Sequence, residues 1–299
     1  MAVQRQIVYI LSTNYAGSHL LTLQLGSHSR CRSVGELHHF RRKDTPRRVC
    51  SMCASEESCP VLAGIRGCPA EKFYDIIFDN LSRFYPLVST VVDNSKKVRW
   101  ASRFWGMPGY SFKYIHLIRD PRALVRRWKL SFEPTDKFRR RVKTAWRCWR
   151  HAWEILTGEE SRAYLWHWLY QNQQITDFLE RNRLDARLVT YCDLVFEADR
   201  VLEELMTWLG YGYEPPQKEY WNFSHHGSVK KNYLKPPQGG QLYFDQRWKE
   251  ELDEQTQKEI YHHPSVTAYL KKIGVSFDYE RGLTIRRNDS FLEKPSLIE

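Results

Sequence analysis

Long apolar runs are missing from this chain. None approaches the roughly 18 residues needed to cross a bilayer. The opening MAVQRQIVYIL has too short an apolar core for a signal peptide and no small-residue cleavage pattern, so it reads as a strand in a cytoplasmic protein. No internal repeat is visible, nor any linker that would demand two domains. The expectation is one domain over residues 1–285 and a flexible tail at 286–299. The first loop, residues 12–17, lacks both the lysine and the first glycine of G-x-x-x-x-G-K-[ST], which disfavours ATP or GTP hydrolysis. No divalent-ion motif appears, and no nucleic-acid-binding motif accompanies the positive charge.

What is present suffices for a large folded core. The chain has 299 residues, 42% of them hydrophobic, and a net charge of +11. Charge is concentrated: residues 119–150 hold twelve Lys/Arg against three Asp/Glu. A solvated helix face accounts for most of these. A polyanionic nucleotide or an acidic acceptor is the functional alternative. Cys50, Cys53, Cys59 and Cys68 are spaced C-x2-C-x5-C-x8-C, which begins like a zinc site but lacks a second C-x2-C pair. A metal site, a redox-labile pair and simply buried thiols all stay open. Cys31, Cys148 and Cys192 read as core.

Strands are expected at residues 7–11, 32–37, 88–93, 114–118 and 187–191, and helices at 18–26, 71–84, 98–105, 137–157, 161–182 and 198–209. A further helix follows FDQRWKEEL, and residues 38–69 are an insertion loop. Pro121 suits the first turn of a helix and Gly210 a helix stop. Trp146, Trp149 and Trp153 recur at helical spacing and are expected in the core. Alternating strands and helices imply a P-loop-like, three-layer α/β/α fold around a mostly parallel sheet.

Two elements carry chemistry. Residues 7–26, IVYILSTNYAGSHLLTLQLG, run from a buried strand through a small-residue turn into a helix. Backbone N–H groups at such a helix start favour anions; Gly17 permits close approach and Ser18 adds a hydroxyl. Residues 114–129 place Arg119 at the carboxyl edge of a buried strand, where ligands bind in open α/β sheets and where its planar fork suits a phosphate.

Together these elements resemble the sulfotransferases that use 3′-phosphoadenosine 5′-phosphosulfate (PAPS), and most closely their bacterial branch. Ser12-Thr13-Asn14-Tyr15-Ala16-Gly17-Ser18-His19 stands where that family has T-P-R-S-G-S-T, which holds the 5′-phosphosulfate. Arg119-Asp120-Pro121-Arg122 is similar to the R-[DN]-P element that holds the 3′-phosphate. Leu25-Gly26-Ser27-His28 leading to Ser33-Val34-Gly35-Glu36-Leu37 fits the same order. Val92-Asp93-Asn94-Ser95-Lys96 resembles the D-S-S-K turn, and residues 189–194 (VTYCDL) the Y-E-D-L strand end. His225-His226-Gly227 through Lys231, then Asp245 and Trp248, resemble G-N-x-x-R and D-x-x-W. The resemblance spans about residues 5–275. Tyr15 departs from it, standing where a Lys or Arg is usual. Arg127 replaces a serine, and Ser228 an asparagine.

The resemblance implies sulfuryl transfer from PAPS to a hydroxyl of a glycan, a phenol or another small acceptor, without a metal or a nucleic-acid partner. It implies donor contacts from Asn14, Tyr15, Ala16, Gly17, Ser18, His19, Arg119, Arg127, Tyr191, Lys230 and Lys231. Glu36 is the expected base, with His19, His38 and His39 in reserve, and Lys96 the expected cation, with Lys230 or Lys231 second. The 38–69 insertion and the central helices are expected to shape the acceptor pocket. A nucleotide-binding member without turnover and a P-loop phosphotransferase are the alternatives.

Overall fold

The computed structural model describes residues 5–41, 50–53, 55, 57–227, 234–236 and 242–286. Five strands, β1 (Arg5–Ser12), β2 (Cys31–Gly35), β3 (Thr90–Lys96), β4 (Tyr110–Ile118) and β5 (Ala186–Thr190), form one parallel sheet in the order β2-β3-β1-β4-β5. A short antiparallel hairpin, β6 (Val275–Asp278) and β7 (Gly282–Ile285), follows near the end. The helices are α1 (Ser18–Gly26), α2 (Phe73–Phe84), α3 (Val98–Ala101), α4 (Pro121–Ser131), α5 (Pro134–Arg147), α6 (Ala152–Thr157), α7 (Glu160–Arg181), α8 (Tyr191–Phe196), α9 (Ala198–Leu209), α10 (Trp248–Glu251), α11 (Glu254–Tyr261) and α12 (Pro264–Lys272).

Strand β1 shows why the sheet is covered on both faces. Its residues from Ile7 to Ser12 are all buried, and the side chains alternate between two clusters. Ile7, Tyr9 and Leu11 pack with residues of α2, α3 and α7. Val8 and Ile10 pack with residues of α1 and α9. A third cluster joins α4, α5, α6 and α7 to α11, α12 and the hairpin. The three-layer α/β/α architecture is therefore the one expected. The chain runs from β1 to β2 on one side of β1 and then crosses from β3 to β4 on the other. The reversal puts a crevice at the carboxyl ends of β1 and β4.

Several expectations are corrected. Trp146, Trp149 and Trp153 are exposed at 79%, 70% and 81%, not core. The expected 137–157 helix breaks at Cys148, and a 3-10 turn at Trp149–His151 separates α5 from α6. The three rings thus do not share an inward face, and α5 buries only Thr144 and Ala145. Strand β3 runs on through the residues expected to form a turn, to Lys96. In the described part of the insertion, Val61, Leu62 and Ile65 are fully buried in the cluster beneath α2. Burial of each contributes roughly 1.5–3 kcal/mol. Within the basic block, Arg119, Arg122 and Arg126 are buried, while Arg139, Arg140, Lys143 and Arg150 are exposed as expected. Cys31 and Cys192 are buried, and Cys148 is half-buried. The hairpin β6–β7 was not foreseen.

Candidate active site

The loop after β1 turns tightly, with Tyr15 at φ 70 and Gly17 at φ 99, both left-handed. Changes of hand of this kind make backbone concavities that hold anions. Gly17 is required for a second reason: a Cβ there would lie 2.4 Å from Cδ2 of Tyr191. Helix α1 begins at Ser18 with no side-chain cap and no acidic residue in its first turn, so its positive end faces the loop uncompensated. Ser18 is buried; Asn14 and Tyr15 are exposed.

Arg119 leaves the end of β4 and reaches this same loop. Its Nη1 donates to the Tyr15 carbonyl at 3.0 Å, and its Nη2 to the Asp245 carbonyl at 3.2 Å. The Asp245 carboxylate is 3.2 Å away, and the guanidinium lies 4.2 Å from the Tyr191 ring centroid. Trp168 Nε1 donates to the Arg119 carbonyl at 3.0 Å and fixes the strand end. The two sequence elements therefore form one site. Burial works against ionisation of Asp245, but Arg247 and Arg119 outweigh it and hold the carboxyl low. The crevice beside Arg119, walled by Tyr191, Phe244 and Asp245, holds only about 10 Å³. Arg127 lies 4.8 Å from the Tyr15 ring centroid. The loop position that lacks a cation of its own thus collects one through its aromatic face.

Asp120-Pro121-Arg122 has a structural task. Asp120 caps α4 by accepting from Arg122 N at 2.8 Å. The buried Arg122 side chain returns to the same carboxylate, donates to the Tyr279 carbonyl at 2.9 Å and lies 3.7 Å from the Trp248 ring centroid.

The second half of the site gathers around Glu36, one residue past β2. Lys96 Nζ donates to Glu36 Oε1. His19 Nε2 is 3.3 Å from the same oxygen, and His39 Nε2 is 3.2 Å from Oε2. His38 Nδ1 lies 4.0 Å from Oε2. Lys96 is buried, left-handed at φ 62, and sits where the pairing of β1 with β3 shifts register. Such irregularities re-aim side chains at sheet ends. Asp93 fixes this segment: buried, it accepts from Ser95 N at 2.8 Å, Tyr74 Oη at 2.7 Å and Trp100 Nε1 at 2.8 Å. Asn94 Nδ2 is 3.3 Å from His19 Nδ1, and the buried Asn94 Oδ1 has no protein partner among the described residues.

Burial and pairing act in opposite directions on Glu36 and on Lys96. Burial alone would push the Glu36 carboxyl up, but His19, His39 and the Lys96 charge outweigh it and hold Glu36 well below the ordinary range. Burial pushes the Lys96 ammonium down, and Glu36 opposes that. Glu36, His38 and His39 could by spacing alone hold a cation, but the Lys96 ammonium already occupies Glu36. Farther out, a cavity of about 290 Å³ lies between α5 and α7, lined by Lys137, Arg140, Arg141, Phe132, Tyr164 and His167. Burial, with Arg147, Arg140 and Lys97 nearby, pushes His167 down to about 3.

The structure thus brings together Asn14 to His19, Glu36 and Lys96, with Arg119, Arg127 and Tyr191 adjoining. Lys230, Lys231 and Ser228 lie outside the described residues. Sequence reasoning did not identify Asp93 and Asn94 as supports of Lys96 and His19. The signal lay in the same 92–96 stretch, where only Lys96 was singled out. Cys68 stays apart from the other three cysteines of the insertion, which meet His226 instead.

No protein-family model matches the chain, and no curated protein matches it in sequence. Solved structures do. The sulfotransferase domain from the curacin biosynthetic pathway is 19% identical over 85% of this chain and 95% of that one, with a TM-score of 0.44. The sulfotransferase domain from the Synechococcus PCC 7002 olefin synthase is 16% identical over 86% and 88%, with a TM-score of 0.47. A sulfotransferase from Alicyclobacillus acidocaldarius is 14% identical over 90% and 96%, with a TM-score of 0.43. The likeness is one of shape and says nothing of donor or acceptor.

Proposed function

We propose that the chain transfers a sulfuryl group from PAPS to a hydroxyl of a small-molecule or glycan acceptor. The observation that carries this reading is the convergence of a part-buried Glu36–Lys96 pair with His19, on the first turn of α1, beside a loop that Arg119 also grips. A base, a cation and an anion-favouring helix start are the parts that an in-line transfer between two oxygens needs.

In this reading the loop and α1 hold the 5′-phosphosulfate, and Arg119 with Arg127 serves the 3′-phosphate. Glu36 takes the proton of the acceptor hydroxyl. The acceptor oxygen forms a bond to sulfur as the bond from sulfur to the phosphate oxygen breaks. The products are the sulfate ester and adenosine 3′,5′-bisphosphate. Lys96 meets the negative charge that grows on the leaving phosphate. Glu36 is a weak base while paired with Lys96. Drawing the ammonium toward the leaving phosphate raises the basicity of Glu36 when a base is needed. The basic cavity between α5 and α7 suits an acceptor that carries negative charge.

The test is transfer of radiolabelled sulfate from PAPS to a panel of glycans, phenols and hydroxylated metabolites, beside calorimetry with adenosine 3′,5′-bisphosphate. Transfer that is lost in Glu36→Gln supports the reading. Full turnover by Glu36→Gln removes Glu36 as the base. Bisphosphate binding with no transfer to any acceptor favours a nucleotide-binding member without turnover, for which Tyr15 and the Arg119–Asp245 contact speak. Absence of both binding and transfer overturns the proposal.

A further inference from the structure

Three thiols and one imidazole converge at the edge of the insertion. Sγ of Cys50, Cys53 and Cys59 and Nδ1 of His226 all lie within 4.8 Å of one another. The sulfur–nitrogen separations are 3.7, 3.5 and 3.6 Å. A tetrahedral zinc ion, with Zn–S about 2.3 Å and Zn–N about 2.0 Å, sets its S···N edges at about 3.5 Å. All three observed edges match that value. The thiols are free, whereas a disulfide would draw two sulfurs to about 2.0 Å.

We propose that Cys50, Cys53, Cys59 and His226 bind a structural zinc ion. The ligand set is soft, as thiolate and imidazole sites for zinc are. Four protein ligands leave no open coordination position, so the ion is a clamp and not a catalyst. Binding turns three thiols into thiolates and releases their protons.

The surroundings are arranged for this. His226 Nε2 lies 3.2 Å from Tyr85 Oη. A neutral imidazole that donates there keeps its N–H on Nε2 and leaves the Nδ1 lone pair for the metal. Leu62 N donates to Cys59 Sγ at 3.3 Å, and Ser51 N donates to the Gly227 carbonyl at 2.9 Å. Arg32 lies 4.5 Å from the Tyr85 ring centroid and supplies a positive charge near a site whose net charge with zinc is negative. Cys50, Cys59 and His226 are buried, and Cys53 is half-buried.

The clamp joins two distant parts of the chain beside Glu36. Gly227, at φ 137, packs so closely on the end of β2 that a Cβ would lie 2.9 Å from the Val34 carbonyl carbon and 3.0 Å from Gly35 N. Glu36 is the next residue. The ion therefore fixes the wall of the pocket in which Glu36 sits. The assignment needs no donor and no acceptor, so it stands or falls apart from the sulfuryl-transfer reading.

The test is the metal content of the full chain, purified without chelator and dialysed against zinc and then buffer. About one zinc per chain is expected, and cobalt in its place should give thiolate charge-transfer bands and the intense visible absorption of tetrahedral coordination. Cys59→Ser and His226→Ala should each lower zinc to below about a tenth of an equivalent, while Cys68→Ser keeps it. Wild-type protein without zinc overturns the proposal, as does a Cys50–Cys59 disulfide in its peptide map. Zinc lost from Cys68→Ser as completely as from Cys59→Ser would also overturn it. The wild-type measurements decide the matter even if a cysteine variant fails to fold.

Discussion

Replacing Lys96 by Met would separate its pairing with Glu36 from the catalytic task proposed for it. Removing one partner of a buried ion pair costs about 3–5 kcal/mol when the other charge is left alone. Glu36 would not be left alone, because His19 and His39 lie 3.3 and 3.2 Å from its oxygens and remain hydrogen-bond partners. The expected loss of stability is therefore smaller, about 2 kcal/mol by urea titration. Catalysis should suffer more. Loss of one preorganised charge-stabilising group lowers turnover about 10²–10³-fold, or roughly 2.7–4 kcal/mol. Affinity for adenosine 3′,5′-bisphosphate should change less than about tenfold, because the phosphates keep α1, the loop and Arg119. The pH profile gives an independent reading. Without Lys96 the Glu36 carboxyl loses one of the influences that hold it low, so the acid limb of kcat/KM should move to higher pH. Lys96→Arg should keep the acid limb near that of the wild type. Turnover within about threefold of wild type in Lys96→Met, or an unmoved acid limb, would refute the reasoning.

Gly17→Ala should abolish bisphosphate binding in calorimetry, since φ 99 and a 2.4 Å approach to Tyr191 leave no room for a Cβ; binding within about threefold of wild type would contradict the loop's role. Asp245→Asn removes a carboxylate 3.2 Å from Arg119, and should tighten bisphosphate binding about fivefold, roughly 1 kcal/mol; weaker binding would show that Asp245 positions Arg119 instead of competing for it. Stability should fall on acidification. Burial pushes His116 down to about 4, with Asn172 Oδ1 3.0 Å away, whereas the unfolded imidazole titrates near about 6.5. Between those values the unfolded chain binds more protons, so folding loses about 2 kcal/mol by roughly pH 5 from this residue alone. His116→Gln should flatten the dependence of the urea midpoint on pH between neutrality and pH 5; an unchanged slope would count against it.

What could be read from the residues followed from how burial is written. Strand β1 is covered on both faces, so it reads as an unbroken apolar run, and the turn to α1 is marked by Gly17. Arg119 was legible because it directly follows such a run. Helix α9 was legible to the residue, with Gly210 left-handed at φ 87 as its stop. The tryptophans were misread because spacing assumes an unbroken helix, and the turn at Trp149–His151 breaks it. The reach of β3 to Lys96 was missed because Asn, Ser and Lys are poor strand formers, whereas the buried Asp93 anchors them by hydrogen bonds. His226 could not be joined to the cysteines by spacing at all. It lies 176 residues from Cys50, and only folding brings them together.

The Arg122 staple has a consequence for the order in which the molecule can be completed. Arg122 belongs to the first half of the chain, yet its buried guanidinium is seated by Trp248, Asp278 and Tyr279, and Gly282 packs 3.1 Å, by its missing Cβ, from Asp120. Synthesis runs from the amino end, so the residues of the sheet and the first loop are made before those seats. Until then, of these partners, the cation beside Arg119 has only Asp120. The corner that carries Arg119 thus receives these seats from residues made after every strand of the five-stranded sheet.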